Sequence, residues 1–146
     1  MLIARIDEDR FIFDVPDVLR DTVVDLAQQL DQELESDNRN LQRLFPTAYS
    51  DDPDKDAGYQ VLARGELIEG RRTSLSTVIE SGDDDEIDGE TLEAWMRVVN
   101  DLRLVLGTNL DVGESDDWVP PPGMEPIYAV YQWLSLLLSH IVEAQF

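Results

Sequence analysis

Residues 95–110 read WMRVVNDLRLVLGTNL, and this stretch decides the fold. Wound at about 100° per residue, it places Trp95, Val99, Leu102 and Leu106 on one side, with Met96 and Leu110 at the edge. That is the apolar face of a core helix. Arg103 falls inside the same arc, so a guanidinium points where the core must lie. Burying an unpaired cation is very costly, and Arg103 therefore needs a partner. Asn100, one turn back, cannot neutralise it. Asp51 and Asp52 are the carboxylates expected opposite, because a guanidinium fork suits a bidentate carboxylate.

Working outward, Asp88 is a suitable N-cap and Gly107 a suitable stop, which gives a helix over 89–107. The segment 111–125 must be a loop, since four prolines fall between positions 120 and 126. A last helix over 126–144 is apolar almost all round. Its uncharged run from Ile127 to Val142 is shorter than the ~20 apolar residues that a membrane span requires, and it is broken by Gln132, Ser135, Ser139 and His140. It reads as a central core helix, with a homodimer through its outer face as one arrangement it allows. Upstream, SGDDDEIDGE makes 81–88 a solvated acidic linker. Residues 57–80 read as a helix with Val61, Leu67, Ile68, Leu75, Val78 and Ile79 on its apolar face, where Arg64 and Arg71 also project inward.

SDDPDKD reads as a loop, and NLQRLF before it as a short helix ended by Pro46. The clearest helix covers 16–36, where Leu19, Val23, Leu26, Leu30 and Leu34 follow at three- and four-residue steps behind Pro16. LIARI and FIFDV flank DEDR and predict a hairpin over 1–15, which must lie on helices or gain a third strand. The expected architecture is therefore mainly α: a single-domain bundle of four or five helices over 1–146 with a small N-terminal β-hairpin.

The composition excludes more than it assigns. The chain has 32 acidic and 11 basic residues, a net charge of −21, and Lys55 as its single lysine. Such a field repels nucleic acid and anionic membranes, so neither is an expected partner. There is no cysteine, which removes disulfides, thiolate metal sites and cysteine nucleophiles. The opening MLIARIDEDR lacks the features of a signal peptide and reads as cytoplasmic. Asp84, Glu86, Asp88 and Gly89 imitate positions of a calcium-binding loop, but the required bidentate glutamate falls on Trp95. His140 is the sole histidine, no serine has a nucleophile-elbow context, and no cofactor or metal is expected.

LQRLFPTAYSDDP, LEAWMRVVNDLRLVLGTNL and YQWLSLLLSHIVEA together resemble DUF2017, an actinobacterial domain of unknown function. The matching positions are Phe45, Pro46, Tyr49, Asp51, Asp52, Trp95, Asn100, Leu102, Arg103, Leu104, Gly107 and Trp133, and the family assigns none of them a catalytic role. The long acidic run and near-absence of lysine depart from its pattern and point to a salt-adapted host. The resemblance implies a small cytosolic protein whose genes often lie near that of ClpS, an adaptor of a Clp protease. The expected function is accordingly a non-enzymatic interaction protein, an accessory to Clp-type proteolysis with Clp protease or adaptor components as partners. Its partner surface is expected at Asp83, Asp84 and Asp85 and at Trp118 in the proline-rich loop. The alternative is an anion-sensing regulatory module built on Arg64, Arg71 and Arg103. A closed core with every arginine paired favours the first reading, and an open pocket with a bare arginine favours the second.

Overall fold

The computed structural model of the chain describes residues 1–34, 51–113 and 117–146, with the side chains at 56–57 and 59–66 left aside. Strand β1 (Leu2–Asp7) and strand β2 (Arg10–Asp14) form the hairpin, pairing Ile3 with Phe13 and Arg5 with Phe11. Helix α1 (Asp17–Glu33) follows directly, then helix α2 (Pro53–Glu80), strand β3 (Glu86–Ile87), helix α3 (Gly89–Leu110) and helix α4 (Glu125–Gln145). The fold is mainly α with a small N-terminal hairpin, to which β3 adds a third antiparallel strand in the order β1-β2-β3.

Helix α3 is the hub, packing on α4, α2, α1 and β2. Trp95, Val99, Leu102 and Leu110 are buried as the opening stretch requires, and Leu106 and Met96 pack partly buried against the same core. Trp95 meets the Phe13 ring at 4.7 Å and donates its indole N–H to Ser81 Oγ at 2.9 Å, so a single side chain joins β2, the end of α2 and α3. Leu134, Leu137 and Ile141 close the core from α4, and Leu19, Val23, Ala27 and Leu30 close it from α1.

Three local expectations need correction. SDDPDKD is no loop beyond Asp52: α2 begins at Pro53, where a fixed φ and missing N–H suit the first helical turn, and Asp52 caps it by accepting from the Lys55 N–H at 3.2 Å. Gly107 does not stop α3. It is buried inside the helix, which ends instead at Asp111 in a left-handed conformation (φ 53°). The linker 81–88 is not wholly solvated, because Ile87 pairs with Phe11 and is buried. At the start of α3, Asp9 in the hairpin turn accepts the Gly89 N–H at 2.9 Å, a contact that a side chain at position 89 would obstruct. The expected short helix NLQRLF lies outside the described residues, as do residues 35–36 at the end of the 16–36 segment and 114–116 within the 111–125 segment.

Candidate functional site

Arg103 does point inward, onto α4, but it does not meet Asp51 or Asp52. Both aspartates are exposed at the start of α2, where Asp52 serves as the cap. Arg103 Nε donates to Ser135 Oγ at 2.9 Å, and that hydroxyl donates onward to the Tyr131 carbonyl at 3.0 Å. One terminal nitrogen reaches Asn100 Oδ1 at 3.4 Å, beyond the ordinary range for a strong bond. The guanidinium carbon lies 5.6 Å from the Tyr131 ring centroid. Among the described residues its partners are thus a hydroxyl, an amide and a ring, with no carboxylate.

Beside it, α2 and α3 enclose an open groove of about 350 Å³ lined by Arg71, Ser74, Arg97, Asn100 and Asp101 together with Leu67 and Gly70. Asn100 belongs both to this groove and to the Arg103 contact. Arg71 is paired across the helices with Asp101 at 3.3 Å, and Arg97 with Glu93 at 2.6 Å along α3. Burial raises the Asp101 carboxyl above its ordinary value, with the Arg71 charge and hydrogen bond opposing. The Arg64 side chain lies outside those described, so the expected trio is represented here by Arg71 and Arg103, which carry different kinds of partner.

Among the described side chains, the most deeply buried arginine is one that the sequence pattern did not single out. Arg20 is 4% exposed. Its Nε donates to the Val15 carbonyl at 2.8 Å, and its terminal nitrogens reach the carbonyls of Phe13, Gly82 and Asp84 and the Asp85 carboxylate, the last at 3.1 Å. It thereby ties α1 to the end of β2 and to the linker before β3. A usable signal was present, since Arg20, Val23 and Ala27 stand at i, i+3 and i+7 and share a helix face.

The expected partner surface divides accordingly. Asp83, Asp84 and Asp85 are exposed as side chains, yet the Asp84 carbonyl serves Arg20 and the Asp85 carbonyl accepts the Phe13 N–H at 2.7 Å. Trp118 is half-buried, sits edge-on to Tyr128 at 5.2 Å and donates to the Asp111 carbonyl at 3.1 Å, which fastens the proline-rich loop to the start of α4. Among the described residues no three His, Asp or Glu side chains are grouped so as to hold a metal ion, and no helix is long and apolar enough to cross a membrane.

The chain belongs to the DUF2017 family, a domain of unknown function whose profile matches residues 9–145. Its relatives carry a more specific designation. It is 35% identical over 104 residues to proteins of Mycobacterium bovis and Mycobacterium tuberculosis named oxidative stress regulator AosR, a match covering 66% of this chain and 47% of each relative. The chain thus spans about half the length of the relatives it matches. No solved structure matches it. These names overturn the expectation of an accessory to Clp-type proteolysis, which rested on gene neighbourhood and on no residue of the chain. They stand closer to the regulatory alternative.

Proposed function

We propose that this chain is a regulatory domain without catalytic chemistry, and that its input is a small oxyanion bound at Arg103. One observation carries the reading: Arg103 is a half-buried cation held by Ser135, Asn100 and the Tyr131 ring, with no carboxylate among the described residues. A guanidinium has five N–H donors, and this one spends two on neutral acceptors, so it keeps both charge and donors for an anion. Asn100 and Ser135 would report such binding to α3 and α4 together.

The relatives' designation as oxidative stress regulators adds a constraint. With no cysteine in these 146 residues, the thiol-to-disulfide and thiol-to-sulfenic steps are closed within the chain. An oxidative signal would therefore reach this domain as a ligand, through a partner or at one of its three methionines.

The test is a melting-temperature titration with phosphate or sulfate against chloride at matched ionic strength, in the wild-type chain and in Arg103→Gln. A ligand that binds only the folded state raises stability with the logarithm of its concentration above the dissociation constant. The expected result is a saturable rise in the wild type that Arg103→Gln abolishes. An identical response in both proteins, or none in either, rejects the reading.

A further inference from the structure

We propose that the cleft between α1 and α4 is a docking surface for a cationic amphipathic segment of another protein. This concerns the domain's output and does not rest on anion binding at Arg103. The cleft, about 320 Å³, is walled by Val18, Leu19 and Thr22 from α1 and by Ala129, Val130 and Trp133 from α4. Val18 is 80% exposed and Trp133 is 51% exposed. Leu136, also exposed, continues the α4 ridge one turn beyond Trp133. A half-exposed tryptophan beside a largely exposed valine is an apolar slot open to a partner's side chain.

Charge complementarity selects the occupant. The only Lys or Arg on either wall is Arg20, which is buried and consumed by the linker carbonyls. On the outer ridge of α1, Asp17, Asp21 and Asp25 are exposed beside Val18 and Thr22. The far flank of that ridge is a second cavity of about 400 Å³, where Asp21, Asp25 and Asp83 converge with Val24, Ile79 and Gly82 and no cation. An apolar slot and a three-carboxylate cavity therefore lie on opposite sides of one helix ridge. The seven helical steps from Val18 to Asp25 span about 10 Å at 1.5 Å per residue. A segment with an apolar anchor and Lys or Arg about two helical turns away satisfies both. A second copy of this chain does not, because it would bring the same aspartates against one another, and an anionic membrane is repelled for the same reason.

The test uses a synthetic peptide of about fourteen residues with Leu and Lys at amphipathic helical spacing, compared with a lysine-only peptide of equal charge. Trp118→Phe serves as the background protein, so that Trp133 dominates the change in tryptophan emission on binding, Trp95 being already buried. The amphipathic peptide is expected to shift that emission to the blue. It should bind about tenfold more weakly to Val18→Ser and to Asp21→Asn/Asp25→Asn, and to lose affinity as salt rises. Val18 and both aspartates are exposed, and unchanged circular dichroism verifies folding. Equal affinity for the two peptides, or binding indifferent to Val18→Ser, overturns the proposal. So does a concentration-dependent dimer in sedimentation that Trp133→Ser abolishes, since the cleft would then belong to a second copy.

Discussion

Arg20 and Arg103 are both arginines on the inward side of a helix, and the molecule treats them oppositely. Arg20 is surrounded by backbone carbonyls from β2, from Val15 just after it and from the linker, with an aspartate at its rim. Those carbonyls come from segments far apart in sequence, so the guanidinium acts as a rivet holding residues 82–85 against the hairpin. Arg103 spans only α3 and α4 and touches a hydroxyl, an amide and a ring. The contrast teaches that burial alone does not mark a functional arginine. A saturated guanidinium defines structure, whereas one with donors and charge to spare has capacity for a ligand.

The largest expected effect breaks the rivet. Arg20→Ala strands the buried Phe13 and Val15 carbonyls together with those of the linker, and it should cost about 3 to 5 kcal/mol in urea denaturation, the range for removing one side of a buried charged network. Arg20→Lys should recover little, because one ammonium on a flexible stem cannot reach acceptors spread around three edges of the planar guanidinium. A loss near that of an ordinary surface substitution would show that β3 is held by its ladder alone.

Arg103→Ala is expected to cost less, about 1 to 2 kcal/mol, from two bonds to neutral groups and one cation–π contact. No carboxylate among the described residues is left behind, so the large penalty of a stranded charge does not arise. A double-mutant cycle with Asp52→Ala sharpens the point. That change should cost about 1 kcal/mol through loss of the α2 cap and add to Arg103→Ala without coupling. Coupling would restore the ion pair that the sequence suggested.

How much was legible in advance follows from the range of each interaction. The stripes of α1, α3 and α4 are local patterns, and the sequence exposed them together with the inward direction of Arg103. DDPDKD was misread because proline after aspartate serves equally in a turn and at a helix start, and only the continuing packing of α2 decides between them. Strand β3 has two residues and exists through its pairing with Phe11 and Ile12, which no periodicity announces. Arg20 was overlooked for a related reason: its acceptors are mostly carbonyls, present at every residue, whereas a search for carboxylates had only Asp85 to find. The same search sent Arg103 to Asp51 and Asp52, although the residues that hold it carry no charge.

A third experiment addresses Asp101, the carboxylate paired with Arg71 in the α2–α3 groove. Because burial raises its pKa above the ordinary 3.8, the folded state binds this proton more tightly than the unfolded chain does. The stability it contributes is therefore complete below the unfolded pKa and is lost as pH rises through the raised folded value. Asp101→Asn should flatten the decline in the urea midpoint from about pH 4 upward, while the rest of the −21 charge keeps its own contribution. An unchanged slope would show that Arg71 compensates the burial in full.

The smallest effect separates two linker aspartates, Asp83 and Asp85, that composition treats as equivalent. Asp85 pairs with Arg20, but its side chain is 91% exposed, so solvent screens the pair and Asp85→Asn should cost about 0.5 kcal/mol or less. Asp83 has the opposite surroundings: it faces Asp21 and Asp25 across one cavity that no cation lines. Asp83→Asn should be neutral or slightly stabilising at low salt, and the gain should vanish as the Debye length falls below about 10 Å near 0.1 M. Comparing melting temperatures of the two variants at low and high sodium chloride therefore reads opposite signs from neighbouring aspartates. If both variants shift alike, the linker is a uniform acidic surface, and Arg20 draws its hold from the carbonyls alone.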